Sequence, residues 1–232
     1  MTDLPASDPG TLADRLHRVP LFSDLSPEET SRLAHATREK SYPKNSVILF
    51  EDDPGDALYV VLSGQVKVVL IGEDGREVIL SILRDGDFFG EMSLIDDQPR
   101  SAHVIATEDS NLLVLRRDDF RRSIEESPRI ALGLLRALSR RLRRADDKIG
   151  SLALLDVNGR VARLLLELAD EHDGSHIPRT VTHHMIAQMV GSSRETVSRT
   201  MRELADRGHV HVTRKAIILQ DRPALKRLAG LS

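Results

Sequence analysis

Two hydrophobic rhythms divide this chain. Between about Glu39 and Leu115, short runs rich in Val, Ile and Leu alternate with turn residues: Ser46 to Phe50, Ala57 to Leu62, Gln65 to Ile71, Glu77 to Leu83, Ala102 to Thr107 and Asn111 to Leu115. Asp53-Pro54-Gly55, Gly64, Asp74-Gly75 and Asp85-Gly86 punctuate the runs. The even spacing of Gly64, Gly75 and Gly86 suits a β-roll built from strands of similar length. Outside this region apolar residues recur every three or four positions, the spacing of a helix face. The first ten residues, with Pro5, Pro9 and Gly10, are expected to be disordered, and Leu12, Leu16 and Val19 suggest a short helix. Ser26-Pro27-Glu28-Glu29 supplies an N-cap, a proline at the first helical position and a capping-box glutamate, which predicts a second helix to about Ala36.

A long helix is expected after Ser127, with Pro128 at its first position. Along it Ala131, Leu135, Leu138, Leu142, Ala145, Ile149 and Leu152 alternate spacings of four and three, flanked by Arg140, Arg141, Arg143 and Arg144. That heptad seam predicts packing on the same helix of a second copy, in preference to packing on the chain's own β-domain. Asp156-Val157-Asn158-Gly159 interrupts the pattern as a hinge, and Val161, Leu164, Leu165 and Leu168 mark a further amphipathic helix leading to Asp173-Gly174.

From Val181 to Leu204 the spacing of Ile186, Val190, Val197, Met201 and Leu204 predicts two short helices packed together, with Gly191 at a sharp turn between them. Ser192 and Glu195 fit a capping box opening the second helix. Its exposed face carries Arg194, Glu195, Ser198 and Arg199. An arginine can bond guanine bidentately in the major groove, and a carboxylate can accept from the cytosine amino group. The plain alternative is that Glu195 only caps its helix and the arginines are solvated. A predicted hairpin follows, His209 to Thr213, a turn at Arg214-Lys215, then Ala216 to Leu219. Such a wing supports a DNA-reading helix and can touch phosphate through its basic turn. Thr182, Ser193 and Lys215 complete the candidate DNA-facing set. The expected domains are 1–126, 127–155 and 156–232.

Composition narrows the chemistry. With no cysteine there are no disulfides, no thiolate catalysis and no cysteine-held zinc or iron–sulfur cluster. Aromatic residues are 3% of the chain, so Leu, Val and Ile must fill the cores. There is no run of eighteen apolar residues and no charged-then-apolar leader pattern, which makes the cytoplasm the expected compartment and a membrane an unexpected partner. The net charge of −3 hides an asymmetry: residues 156–232 hold 12 Lys/Arg against 9 Asp/Glu, or +3, while the remainder holds 21 against 27, or −6. Local sign matters more than the total for meeting phosphate.

A β-roll, a long dimerising helix, a hinge and a winged helix-turn-helix, in that order, resemble the Crp/Fnr transcription regulators over nearly the whole chain. Leu154-Leu155-Asp156-Val157-Asn158-Gly159-Arg160 resembles that family's hinge, and Gly191-Ser192-Ser193-Arg194-Glu195-Thr196-Val197-Ser198-Arg199 its recognition helix. The resemblance implies an α+β protein with an N-terminal cyclic-nucleotide-binding jelly roll, acting as a homodimer on a palindromic, TGTGA-like operator in double-stranded DNA. Arg194, Glu195 and Arg199 would read each half-site, and RNA polymerase would be a partner. Phe89-Gly90-Glu91-Met92-Ser93-Leu94 followed by Pro99-Arg100-Ser101-Ala102 resembles the phosphate-binding cassette of the cyclic-nucleotide-binding fold. Gly90 lets backbone N–H groups approach an anion, Arg100 offers paired donors, and Ser101 adds a hydroxyl. Glu91 would accept from a ribose 2′-hydroxyl, with Val68, Leu80 and Leu83 as apolar walls. The alternative is an Arg100–Glu91 salt bridge in an empty roll. Where the family's cAMP receptors carry a hydroxyl and a second polar residue to bond adenine, this chain has Ala145 and Asp146. Ala145 cannot bond the base. Asp146 is an acceptor only, which suits guanine better than adenine. Among effectors, cAMP is expected ahead of cGMP or cyclic di-GMP, with no covalent cofactor.

Three other readings compete. An enzyme is disfavoured because there is no P-loop, no G-x-S-x-G and no catalytic cysteine. A ligand-independent regulator or a gas sensor on the same scaffold is the second, the haem-based sensor needing an iron ligand such as His103. A cyclic-nucleotide module regulating an enzyme without DNA is opposed by the helix-turn-helix. His183-His184 and His209-x-His211 lack a third metal ligand at suggestive spacing, so no metal is expected. Arg38 and Lys40 are expected to be solvated charge rather than polymerase contacts.

Overall fold

The computed structural model describes residues 2–3, 9–171, 174–178 and 180–231. In chain order the elements are β1 (Thr2–Asp3), α1 (Pro9–His17), α2 (Pro27–Ala36), β2 (Thr37–Tyr42), β3 (Val47–Leu49), β4 (Ala57–Ser63), β5 (Val66–Ile71), β6 (Glu77–Leu83), β7 (Phe88–Phe89), α3 (Met92–Asp96), β8 (His103–Ala106), β9 (Ser110–Arg116), α4 (Arg117–Glu126) and α5 (Pro128–Leu154). They continue with α6 (Val157–Asp170), β10 (His176–Pro178), α7 (His183–Val190), α8 (Arg194–Asp206), β11 (Val210–Val212), β12 (Ala216–Leu219) and α9 (Arg222–Leu228). The chain divides into two compact units, Met1–Arg141 and Leu142–Ser232.

The first unit is a roll of two antiparallel sheets, with strand orders β1-β2-β9-β4-β7 and β3-β8-β5-β6. The apolar runs become strands because alternate residues reach a shared interior: Val61, Val66, Leu112 and Val104 are buried between the sheets. A second cluster, built on Leu16, Phe22, Leu58, Leu113, Phe120 and Leu134, lies under the helices. Gly64, Gly75 and Gly86 all adopt positive φ, as their turns require. The capping box at Ser26 forms in both directions: its hydroxyl accepts from Glu29 N–H, and the Glu29 carboxylate accepts from Ser26 N–H at 2.7 Å. Two expectations need correction. Thr2–Asp3 pairs with Ser41 and Lys40, and helix α1 already begins at Pro9, so the first ten residues are not uniformly without structure. Pro5 lies outside the described residues. Ser127 does not cap α5 with its hydroxyl; its N–H closes α4 on Ser123 O, and proline at 128 starts the next helix at once.

Helix α5 has two apolar stripes. Ile130, Leu134 and Ala137 are buried in the core of the first unit. The predicted seam is on another face: Leu135, Leu142, Ile149 and Leu152 are 59%, 64%, 64% and 49% exposed, Ala145 is exposed, and Leu138 is half-buried.

In the second unit α6, α7 and α8 surround one core containing Val161, Leu165, Ile186, Val197, Met201 and Leu204, backed by the sheet β10-β12-β11. The segment read as a hinge is mostly helix. Asp156 is the N-cap of α6, its carboxylate accepting from Gly159 N–H at 2.8 Å, so only Leu155 and Asp156 separate the two helices. Gly159 is required by packing, since a Cβ there would lie 2.8 Å from Leu228 O, whereas one on Gly150 would meet nothing within 4 Å. Alanine is about 1 kcal/mol better than glycine inside a helix. Gly150→Ala is therefore expected to raise the unfolding temperature and Gly159→Ala to lower it, as read by differential scanning calorimetry.

Candidate functional site

The cassette residues meet where β7 ends. Gly90 has φ +83, and a Cβ there would lie 2.7 Å from Arg100 Nη1 and 3.0 Å from Ala57 O, so the position admits no side chain. Arg100 is 3% exposed. Its Nη1 donates to Gly90 O at 2.7 Å and its Nη2 to Ala57 O at 2.9 Å, with Asp56 Oδ1 at 3.4 Å. The guanidinium lies over the Tyr59 ring, which stacks on Phe89 at 5.1 Å. Burial pushes the Tyr59 phenol up to about 12 and draws the Arg100 guanidinium below its ordinary value. Two main-chain carbonyls hold this cation together with Asp56, whose side chain is 84% exposed.

Glu91 is buried at 1% exposure, and it does not pair with Arg100. Its Oε1 accepts from Arg141 Nη1 at 2.6 Å. Arg141 also donates to Phe88 O and lies over the Phe88 ring at 4.6 Å. The Arg100–Glu91 alternative is thereby overturned: each charge has another partner. Two polar atoms stay without a hydrogen bond inside the cassette, Arg100 Nε and Glu91 Oε2. One is a buried donor and the other a buried acceptor.

The remaining ligand candidates divide. Ser93 and Leu83 are buried and Val68 is half-buried. Met92 and Ser101 are exposed, with Ser101 Oγ 3.9 Å from Met92 Sδ. Leu80 is the extra residue of a β-bulge, because Val68 pairs with Ser81 and Val69 with Ile79, and it is 43% exposed. Ala145 and Asp146 are exposed on α5 in the second unit. Both ring nitrogens of His103 are engaged, Nδ1 accepting from Glu51 N–H at 3.2 Å and Nε2 lying 3.5 Å from the Glu51 carboxylate. An open cleft of about 300 Å³ between α2, α4 and the start of α5 contains none of the cassette residues.

In the second unit Thr182 caps α7, and Gly191 ends it in the left-handed conformation with φ 63. The capping box at Ser192 does not form. Ser192 N–H is drawn back to Ala187 O, and Ser193, in extended conformation, becomes the N-cap of α8, its hydroxyl accepting from Thr196 N–H. The Glu195 carboxyl is held below its ordinary value by its own backbone N–H and the Ser193 hydroxyl. Arg194, Glu195 and Arg199 are exposed along one side of α8, and Val197, Met201 and Leu204 are buried along the other. Ser198 Oγ lies 3.1 Å from His183 Nδ1, an inward engagement absent from the sequence reading. The wing turn exposes Arg214 and Lys215 and is held by Thr213, whose hydroxyl accepts from Ala216 N–H.

Residues 39–127 match the family Cyclic nucleotide-binding domain and residues 159–228 the family Crp-like helix-turn-helix domain. The CRP-like cAMP-activated global transcriptional regulator of Mycobacterium tuberculosis is 35% identical over 219 residues, 92% of this chain and 98% of its own. The chain belongs to the Crp/Fnr family of transcription regulators. The Cyclic AMP receptor protein of Thermus thermophilus is 37% identical over 210 residues, 90% of this chain and 96% of that one. Among solved structures, CLP of Xanthomonas campestris, a c-di-GMP-responsive global regulator, superposes with a TM-score of 0.75 at 27% identity over 84% of this chain and 99% of its own. As a member of the family this chain is a DNA-binding regulator with a cyclic-nucleotide-binding domain, not an enzyme. Among the described residues no helix is long and apolar enough to cross a membrane.

For a Crp/Fnr regulator, two supporting contacts were hidden in the sequence. Arg141, in the sequence a basic flank of the seam, continues the buried stripe Ile130, Leu134, Ala137 at spacings of four, three and four, which is a usable signal. The other is a part-buried hydrogen bond from Thr200 Oγ1 to Asn158 Oδ1 at 2.7 Å, tying the recognition helix to the first turn of α6. Nothing in the local pattern marks it, since Thr and Asn both commonly face solvent. Thr200→Val keeps the shape and removes the donor, so Asn158 Oδ1 loses its partner at a cost of about 1–3 kcal/mol. Denaturant unfolding should show that loss, and Thr200→Ser should recover most of it.

Proposed function

We propose that this regulator is a homodimer gated by a cyclic nucleotide, cAMP ahead of cGMP or cyclic di-GMP, and that it reads a TGTGA-like palindrome. The observation that carries the proposal is the pair of buried orphan atoms. A nucleotide phosphate oxygen would accept from Arg100 Nε, and a ribose hydroxyl would donate to Glu91 Oε2, satisfying both at once. Gly90, Met92, Ser93 and Ser101 complete the cassette in this reading, and Val68, Leu80 and Leu83 flank the base. Asp146, an acceptor only, is proposed to tilt base selectivity toward guanine relative to the second polar residue of the family's cAMP receptors. The relatives named as cAMP-activated support the choice of effector.

The exposed stripe Leu135, Leu142, Ile149 and Leu152, with Ala145 and half-buried Leu138, is the proposed dimer seam; an apolar face of that length is unfavourable in water. The functional division proposed with it is 1–126, 127–155 and 156–232, which sets the whole long helix apart as the dimerisation element. Effector binding acts only through differential affinity for two arrangements of the dimer. RNA polymerase is the proposed protein partner and the cytoplasm the compartment. On DNA, Arg194, Glu195 and Arg199 read base edges, Ser198 lies on the same helix beside them, Lys215 meets phosphate, and Thr182 and Ser193 complete the DNA-facing set.

Calorimetric titration of the purified dimer tests the gate. One nucleotide is expected to bind saturably, with Arg100→Gln weakening it about 10–100-fold, as loss of a charged hydrogen-bond donor implies. No binding by cAMP, cGMP or cyclic di-GMP would remove the gate and leave the DNA reading standing. Fluorescence anisotropy on operator and scrambled DNA tests the interface. Arg194→Ala and Arg199→Ala should each cost about 1–3 kcal/mol on the operator alone, whereas Lys215→Ala should weaken both DNAs alike and lower the salt slope by about one.

A further inference from the structure

Arg117, the first residue of α4, touches both halves of the cassette without being part of it. Its Nη2 donates to Gly55 O at 2.6 Å and to Ser93 O at 2.9 Å, Nε reaches Gly55 O at 3.3 Å, and Nη1 pairs with the Asp97 carboxylate. Its backbone N–H donates to Asp56 O at 2.8 Å. Gly55 and Asp56 belong to the loop that cradles Arg100. Asp53 O accepts from Arg100 N–H, Asp52 N–H donates to Arg100 O, and Asp56 and Ala57 receive the guanidinium. Ser93 and Asp97 belong to α3 and its C-cap, directly after Glu91.

The loop and the helix are pressed together. A Cβ on Gly55 would sit 2.2 Å from Ser93 Cβ. Two carbonyl oxygens, Gly55 O and Ser93 O, therefore point at one place with their negative ends converging, which is unfavourable unless a donor stands between them. A guanidinium fork supplies several donors in fixed geometry; an ammonium is a point charge on a flexible stem and cannot reproduce the fork. The side chain is 25% exposed, so little water competes for these bonds.

We propose that Arg117 is the positioning residue of the anion cassette, clamping the 52–57 loop to α3 and so setting the spacing between the Arg100 guanidinium and the Glu91 carboxylate. It touches no ligand. The proposal rests on the cassette reading above for its ligand consequences, and its structural half stands apart from that reading.

The test uses the full-length protein with Arg117→Gln, Arg117→Lys and Asp97→Asn, the last removing the outer ion pairs of Asp97 with Arg117 and Arg121 and leaving the bonds to Gly55 O and Ser93 O. In ligand-free protein, amide exchange of Asp52 and Arg100 is expected to accelerate about tenfold or more in both Arg117 variants, with the rest of the first unit unchanged. Asp97→Asn should match wild type. With ligand, the preference between the two phosphorothioate diastereomers of cAMP should fall about fivefold or more in both Arg117 variants, because a displaced cassette no longer distinguishes the two exocyclic oxygens. Unchanged exchange in both Arg117 variants, acceleration spread evenly over the unit, or the same loss in Asp97→Asn would overturn the clamp. If wild-type protein binds neither cAMP nor its phosphorothioates, the cassette reading falls, and the exchange measurement alone decides the role of Arg117.

Discussion

Burying a guanidinium and a carboxylate in one small roll, without pairing them to each other, is the constraint on which the N-terminal unit depends. Isolated buried charges are costly, and a direct Arg100–Glu91 pair would have been the simplest remedy. The fold instead divides the task. Arg100 is solvated by main-chain carbonyls of Ala57 and Gly90, and Glu91 by a guanidinium sent from α5. Gly90 and Gly55 follow from that choice, because both backbones must come closer than any side chain allows. The result is a site whose charges are held apart in fixed places, with one donor and one acceptor still unmet. Such preorganisation suits an anion carrying a hydroxyl nearby.

The second unit solves a different problem, presenting one polar helix rigidly while keeping its base-reading side bare. Apolar packing by Val197, Met201 and Leu204 fixes which side of α8 faces inward, but apolar contacts tolerate rotation and sliding. Directional contacts remove that freedom. Thr200 bonds Asn158 on α6, Ser198 meets His183 on α7, and Arg160 bridges Val190 O and Leu155 O, joining the turn before α8 to the start of α6. These side-chain hydrogen bonds orient α8 within its own unit, beyond what apolar packing fixes.

Much of this was legible because it is local. The Ser26 box, the Gly191 turn, the strand runs from Ala57 to Leu83 and the two helices of the DNA-binding motif depend on residues within four positions of each other. Local reading failed where two neighbours competed: Ser192 and Ser193 are chemically alike, and closure of α7 on Ala187 O consumed the first, leaving the second as cap. It also read Asp156 to Gly159 as a hinge because that run interrupts the apolar pattern. The Asp156 cap and the approach of Leu228 O make that segment the first turn of α6.

Sequence by itself determined the order of elements, the apolar face of each, the family and the cassette, since periodicity, caps and signature residues are properties of short stretches. Tertiary structure alone decided the partners of the buried charges. Arg141 reaches Glu91 across 50 positions, and Arg117 reaches Gly55 across 62. Many arginines in this chain could have filled either role on local grounds. Only the closing of the roll brings particular guanidinium groups within 3 Å of a carboxylate or a carbonyl, where the desolvation cost makes the pairing specific.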